Sequence, residues 1–273
     1  MDWLEAIVLG IVEGLTEFLP ISSSAHLSIV GRVFFGGTDP GAAFTAVSQL
    51  GAQTAVIVYF AKDIGRVISR WFGSLSGRVP RNDPDARMGW LIILGSIPIV
   101  AAGLLFEDAI ETTLRNLWIT VAMLVIFGVV LLIADRFAKN RYDLEHLTWW
   151  DGIAFGFAQM LSLIPGVSRS GATISGGLFL GYKREAATRY SFLLSIPAVF
   201  GSGLYQLKEV PKDPMLSWPP TIAATVLAFF VALAVIHWLL KYVSTHNFNI
   251  FVWYRFALAA VVAGLLLGGV LAP

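Results

Sequence analysis

The sequence LPISSS at residues 19–24 interrupts an apolar stretch that covers about residues 3–35. A second apolar stretch, 149–181, is interrupted in the same way by IPGVSRS at residues 164–170. A bilayer core of roughly 30 Å needs about 20 helical residues, so neither half of either stretch can cross it alone. Irregular backbone at membrane depth is tolerated only where protein or a wet cavity surrounds it. We therefore predict two re-entrant helical hairpins with polar tips near mid-bilayer.

The composition indicates a membrane protein. Of the 273 residues, 56% are hydrophobic and 14% are charged, with a mean hydropathy of +0.73, which is too apolar for a soluble domain of this length. Further apolar stretches that are long enough to span a bilayer lie at about 43–61, 88–106, 115–134, 187–207, 219–240 and 250–271. We therefore predict an all-α polytopic membrane protein, residues 1–273, with six transmembrane helices and two re-entrant hairpins.

The two interrupted stretches resemble each other, which indicates an internal duplication. GIVEGLTE at residues 10–17 aligns with GIAFGFAQ at residues 152–159, and each is followed by a proline and a serine-rich turn. We place the first repeat at 1–140 and the second at 141–273. Three predicted spans and one hairpin then fall in each repeat.

The charged loops give an expected orientation. Loops 62–87 and 135–148 are basic, whereas 107–114 is acidic, and basic loops tend to stay in the cytoplasm. The two hairpins then enter from opposite faces, which is the inverted-topology repeat found in transporters. The net charge of +1 provides no basic field for nucleic acid, so we expect no such partner.

Two carboxylates occupy one face of the first half-helix. Glu13 and Glu17 are four residues apart and would repel each other unless a positive charge lies between them. Ionisable groups inside a membrane segment are costly and are more often functional than incidental. We predict that the pair binds a divalent cation, Mg²⁺ or Ca²⁺. The alternative is a structural pair satisfied by backbone groups or water.

Hydroxyl groups and an imidazole follow the first break. Ser22, Ser23 and Ser24 begin the second half-helix, where their hydroxyls and the free backbone N–H groups point toward the tip. His26 lies one turn later and can act as base, nucleophile or proton donor. Serines at a helix start are often only caps, and a lone histidine is usually structural. Gln49, polar but isolated in the sequence, is interpreted as structural.

The second tip has the features of a phosphate site. Ser168, Arg169 and Ser170 open a half-helix, which brings a guanidinium and the positive end of a helix dipole to the tip. We expect these three residues, together with Ser22 and Ser24, to bind phosphate oxygens. Because both tips are expected near mid-bilayer, one anionic headgroup could contact both.

Two motifs carry a resemblance to a known family. EGLTEFLPISSSAH at residues 13–26 and PGVSRSGAT at residues 165–173 closely resemble the undecaprenyl-diphosphate phosphatases, the bacitracin-resistance family. The resemblance covers the whole length. It implies a membrane phosphatase that hydrolyses undecaprenyl diphosphate to undecaprenyl phosphate and inorganic phosphate, recycling the lipid carrier for cell-wall synthesis. It also implies the bacterial cytoplasmic (inner) membrane, with an active site that opens outward.

The same resemblance assigns roles to individual positions. The family's Glu-x-x-x-Glu pair falls on residues 13–17, its active-site hydroxyls on residues 22–24, its histidine on His26 and its phosphate-binding arginine on Arg169. We predict Glu17, Ser23, His26 and Arg169 as catalytic residues.

Several alternatives stay open at this point. Ser23 is the favoured nucleophile, with Glu17 or His26 taking its proton, but attack by His26 or by an activated water fits the same residues. The rival class is a transporter or flippase for a polyprenyl phosphate lipid, since inverted repeats with broken helices also suit alternating access. Expected partners are a polyprenyl diphosphate lipid and the bilayer, and the oligomeric state, including a homodimer, is open.

Overall fold

Helices make up most of the part of the chain that the structure, a computed structural model, describes: residues 2–35, 41–80, 82–207 and 217–272, apart from the side chains of residues 42 and 111. The α-helices in these ranges are α1 (Trp3–Thr16), α2 (Ser23–Phe34), α3 (Gly41–Tyr59), α4 (Ala61–Leu75), α5 (Pro84–Leu105), α6 (Glu107–Glu111), α7 (Leu117–Arg136), α8 (Trp149–Met160), α9 (Arg169–Phe179), α10 (Arg184–Gln206), α11 (Trp218–Val243) and α12 (Asn249–Leu267). No β-strand occurs in these ranges, so the predicted all-α class is confirmed.

Each interrupted stretch forms two short helices with a polar break between them. Helix α1 has 14 residues and α2 has 12, whereas α8 has 12 and α9 has 11. At about 1.5 Å per residue each is shorter than the bilayer core. The two helices of each pair contact each other, α1 with α2 and α8 with α9.

Four described helices, α5, α7, α11 and α12, are each long and apolar enough to cross a membrane. All four correspond to predicted spans. Helix α3 qualifies only together with α4, and the chain bends by 77° between them. The described part of the chain therefore contains four or five candidate spans.

Helix α10 corresponds to the predicted span 187–207 but is not among those candidates, although it has 23 residues. It is surrounded by α3, α5 and α9 rather than fully exposed to lipid. Its polar side chains find partners on these neighbours. Ser195 Oγ lies 3.0 Å from Gln53 Nε2, and Ser191 Oγ lies 2.5 Å from Thr173 Oγ1. A helix in this position needs fewer apolar residues than one that faces lipid.

The predicted basic loop 62–87 contains a helix, α4, which the sequence interpretation missed. Its charged residues alternate with apolar ones at helical spacing, and the apolar side chains of Ile64, Val67 and Trp71 line a 300 Å³ cavity next to α5 and α10. The charged face is paired within the same segment, for example Arg66 with Asp63 and Asp85. An amphipathic helix therefore occupies most of this segment.

Glycines allow each hairpin to approach a long helix closely. A Cβ added at Gly10 of α1 would lie 2.5 Å from the carbonyl oxygen of Ala224 in α11. A Cβ at Gly156 of α8 would lie 2.6 Å from the carbonyl oxygen of Gly95 in α5. Only glycine fits such backbone contacts. They hold α1 against α11 and α8 against α5.

Candidate active site

The two tips share one local backbone geometry. Ser22 and Ser168 are the N-caps of α2 and α9, and their φ angles are 73° and 72°. Their side-chain oxygens accept hydrogen bonds from the backbone N–H of Ala25 and of Gly171. A non-glycine residue in this region carries backbone strain of roughly 1–3 kcal/mol, and such residues cluster at functional sites. Each cap directly precedes a helix start, where the first backbone N–H groups have no partner within the helix.

The tips also contact each other directly. The Arg169 guanidinium donates to a Glu17 carboxylate oxygen and forms an ion pair whose side chains are 15% and 3% exposed. The Ser170 hydroxyl donates to the Leu19 carbonyl at 2.9 Å. The structure therefore brings together the acidic tip and the guanidinium tip.

Glu17 lies at the centre of the polar contacts. One carboxylate oxygen accepts from Arg169, and the other accepts from the Ser23 hydroxyl at 2.5 Å and from the Gln49 side-chain amide at 3.5 Å. Gln49, interpreted from the sequence as structural, is therefore part of the site. Its position in α3, 32 residues beyond Glu17, gave no sequence signal for this contact.

A cavity of about 490 Å³ opens between the tips. One end is polar and is formed by six predicted site residues together with Gln49: Glu17, Ser22, Ser23, Ser24, Ser168 and Arg169. The rest of the lining is mixed. Its apolar residues are Ile99, Val100, Gly103, Leu104, Ile110, Leu163, Ala198 and Gly201, and its polar residues are Glu107, Ser162, Ser202, Tyr205 and Gln206. Such a cavity can take an anionic headgroup attached to an apolar chain.

Three predicted site residues do not line this cavity: Glu13, His26 and Ser170. The Ser170 hydroxyl is engaged by Leu19, as described above. His26 Nδ1 lies 2.7 Å from the Ser22 carbonyl oxygen, and Nε2 lies 2.7 Å from the Tyr254 hydroxyl. Because a carbonyl only accepts, Nδ1 carries the proton, and Nε2 of the neutral ring accepts from Tyr254. Both ring nitrogens are therefore occupied.

Glu13 is fully buried, and neither carboxylate oxygen has a hydrogen-bond partner among the described residues. A buried carboxylate without compensation is unfavourable by several kcal/mol, so the position fits a bound cation. No group of three or more His, Asp or Glu side chains that could hold a metal occurs in the described ranges. A cation on Glu13 and Glu17 would therefore complete its ligand shell with water and phosphate oxygens, as Mg²⁺ commonly does.

Two residues next to the site were missed in the sequence, Tyr254 and Arg255. Arg255 is fully buried in α12 and reaches the backbone of both tips, while Tyr254 contacts His26. The missed signal was an arginine inside the predicted span 250–271. The rule that an ionisable residue within a span marks a functional position would have found it.

Comparison with known proteins gives the family. Residues 6–261 match the family model described as "Bacitracin resistance protein BacA". The undecaprenyl-diphosphatase of Paenarthrobacter aurescens is 58% identical over 270 residues, covering 97% of this chain and 98% of that protein. The undecaprenyl-diphosphatase of Micrococcus luteus is 57% identical over 275 residues, with 99% of each covered. Undecaprenyl-diphosphatase 2 of Streptomyces coelicolor is 54% identical over 285 residues, covering 100% of this chain and 98% of that protein. The predicted family is confirmed, and the chain belongs to the bacitracin resistance protein BacA family.

Proposed function

We propose that the chain hydrolyses undecaprenyl diphosphate to undecaprenyl phosphate and inorganic phosphate within the membrane. The main support for this function is the Ser23–Glu17–Arg169 arrangement in a cavity that also has apolar residues along its wall. The end-to-end relatives are named undecaprenyl-diphosphatases, which favours a phosphatase over the transporter alternative. The product is the lipid carrier on which cell-wall precursors are assembled.

The terminal phosphate binds between the two tips. Arg169 and the free N–H groups at the starts of α2 and α9 supply positive charge and hydrogen-bond donors. The hydroxyls of Ser22, Ser24 and Ser168, which line the cavity, complete the binding set. The cavity supports this assignment, because residues at the starts of both helices line it.

Ser23 is the proposed nucleophile and Glu17 its base. The 2.5 Å hydrogen bond between them supports this pairing. The Ser23 oxygen bonds to the terminal phosphorus while the P–O bond to undecaprenyl phosphate breaks, and the Ser23 proton passes to Glu17. The oxygen of a water molecule then bonds to the phosphorus while the P–O bond to Ser23 breaks, and Glu17 returns its proton to the Ser23 oxygen, so that inorganic phosphate is released and both residues are restored.

Substrate binding itself makes Glu17 available as the base. In the free protein Arg169 is paired with Glu17. An arriving phosphate competes with Glu17 for the Arg169 guanidinium, and loss of this ion pair leaves the Glu17 carboxylate available to accept the Ser23 proton. Attack by His26 has less support, because its ring nitrogens contact Ser22 and Tyr254 and its side chain lies outside the cavity.

A divalent cation, Mg²⁺ or Ca²⁺, is proposed at Glu13 and Glu17. The unpartnered oxygens of the buried Glu13 side chain support it. When bound, the cation would neutralise charge that develops on the transferring phosphoryl group.

The chain is proposed to have six transmembrane helices and two re-entrant hairpins, in inverted repeats 1–140 and 141–273. The matching N-caps of α2 and α9, and the matching contacts of α1 with α11 and α8 with α5, support this arrangement. The cavity is proposed to open to the outer face of the bacterial cytoplasmic membrane. Gly103, which lines it, lies roughly 24 Å along α5 from the end of the basic segment 62–87.

The function is tested on purified protein in detergent, with undecaprenyl diphosphate and no membrane gradient. A phosphatase releases inorganic phosphate under these conditions, and we expect release that depends on protein concentration. Protein that binds the lipid but releases no phosphate, with either Mg²⁺ or Ca²⁺ present, would contradict the proposed function and favour a transporter.

A further inference from the structure

Arg255 is a buried cation whose partners are backbone carbonyls. Its side chain is 0% exposed and lies in the middle of the helix bundle. Its five hydrogen bonds are 2.7–3.1 Å long and go to the carbonyl oxygens of Pro20, Met123, Leu124, Gly166 and Val167. A guanidinium has five N–H donors in a planar fork, so every donor is used.

Burying the Arg255 charge costs free energy, which indicates that this side chain has a role in the protein. Burying a charge is unfavourable unless hydrogen bonds replace its hydration, and here they do so completely. A lysine could not replace the arginine, because its three donors radiate from one nitrogen and cannot reach five separated carbonyls. The guanidinium plane therefore fixes the relative positions of the segments that it joins.

The joined segments are the two hairpin tips and α7. The Nη1 atom alone bonds to Pro20 and Val167, each at 3.1 Å. Pro20 lies two residues before the N-cap of α2, and Val167 lies directly before the N-cap of α9. One nitrogen atom therefore sets the distance between the tips, at a point behind the cavity.

Tyr254 acts on the first tip through His26. Its hydroxyl lies 2.7 Å from His26 Nε2, and the two rings are stacked with an interplanar angle of 7°. His26 Nδ1 in turn bonds to the carbonyl of Ser22, the strained N-cap. Tyr254 and Arg255 do not line the cavity.

We propose that Tyr254 and Arg255 are positioning residues, which hold the tip that bears Ser23 at a fixed separation from the tip that bears Arg169. The inference rests on the proposed phosphatase function of these tips. Misplacement of reacting groups by about 1 Å can lower a rate by roughly 100-fold. Binding of the phosphate depends on charge and tolerates such a shift better. We therefore expect loss of these residues to lower kcat more than it raises KM.

Arg255→Lys removes the planar set of five donors but keeps the positive charge, so it tests whether the guanidinium geometry is needed. We expect kcat to fall by about 100-fold and KM to change by less than about threefold. Arg184→Lys is the matched control, because Arg184 pairs with Asp135 and does not line the cavity; kcat should be unchanged within about twofold. An unchanged kcat in Arg255→Lys, or a raised KM with normal kcat, would overturn the proposal.

Tyr254→Phe removes one oxygen atom and carries little risk of misfolding. We expect a fall in kcat of about five- to tenfold, corresponding to the loss of one hydrogen bond. Tyr59→Phe is its matched control, since the Tyr59 hydroxyl lies 3.4 Å from another histidine, His237, and Tyr59 does not line the cavity. Equal kcat in Tyr254→Phe and Tyr59→Phe would contradict a role for Tyr254.

A measurement that requires no enzymatic turnover tests this inference independently of the proposed function. Amide hydrogen exchange in detergent should be faster at residues 22–26 in both variants and at residues 166–172 in Arg255→Lys, with α5 and α11 unchanged. This result would stand even if the wild-type protein released no phosphate. If Arg255→Lys loses protection everywhere, Tyr254→Phe decides, and unchanged protection at 22–26 in that variant overturns the proposal.

Discussion

At the scale of single residues, Glu17 has three competing partners, Arg169, Ser23 and Gln49. Its carboxylate both holds the guanidinium in the free protein and accepts the Ser23 hydroxyl. A phosphate that binds the Arg169 guanidinium displaces it from Glu17, whose carboxylate then remains hydrogen-bonded to Ser23. In the proposed mechanism, the base and the substrate site are therefore coupled through the Glu17 side chain.

Removal of the Ser23 hydroxyl tests the nucleophile. Ser23→Ala should lower kcat by at least about 10³-fold, because the nucleophile cannot be replaced by a methyl group. Ser162→Ala is the control, since Ser162 also lines the cavity but donates its hydroxyl to a backbone carbonyl. A phosphoenzyme trapped on wild-type protein should be located at Ser23 by mass spectrometry. Substantial turnover in Ser23→Ala, or phosphate on His26, would refute the assignment.

The unpartnered Glu13 carboxylate provides a test of the cation. Chelation should abolish phosphate release, and Mg²⁺ or Ca²⁺ should restore it. Glu13→Gln should raise the cation concentration for half-maximal activity by about tenfold or more, because one charged ligand is lost. Glu5→Gln, on the same helix but outside the cavity, should leave this concentration unchanged. Activity that resists chelation, or a Glu13→Gln variant with normal cation dependence, would contradict the metal site.

At the scale of helices, α5 and α10 form much of the cavity wall, which is apolar on α5 and mixed on α10. Gly103 of α5 and Gly201 of α10 both line it, and a Cβ added at either would meet no atom within 4 Å. Both glycines line the same cavity as the residues of the two tips. We interpret the open space next to these glycines as room for the first isoprenyl units of the lipid.

A larger side chain at Gly103 should therefore select against long substrates. Gly103→Leu should lower kcat/KM for undecaprenyl diphosphate by about tenfold while changing it by less than about threefold for a short prenyl diphosphate. Gly264→Leu is the control, because Gly264 also has open space at its Cβ but lies in α12, outside the cavity. An equal loss for both substrates would show that this wall does not hold the lipid chain.

The sequence predicted the helices better than their contacts. The polar breaks, four of the six predicted spans and the Glu17 and Arg169 positions were readable because membrane burial leaves few uses for proline, serine and charge in an apolar stretch. Helix α4 was missed because its charged face resembled a loop. The contacts of Gln49, Tyr254 and Arg255 depend on how distant helices pack, and a single sequence does not record that.

At the scale of the whole molecule, the site exists only because two distant hairpins meet. Residues 17 and 169 are 152 positions apart, yet their side chains form an ion pair. The contacts of α1 with α11 and of α8 with α5 hold each hairpin against a long helix from the other part of the chain. Catalysis by such a site should depend on both tips together rather than on either one.

A double-mutant cycle on kcat/KM tests this central claim most directly. Glu17→Gln and Arg169→Lys alter opposite tips, and each alone should lower kcat/KM by about 10²-fold or more. If both tips act on one phosphoryl group, the double variant should be little slower than the worse single variant, with a coupling energy of about 2–3 kcal/mol. Losses that multiply independently would contradict a shared site between the two tips.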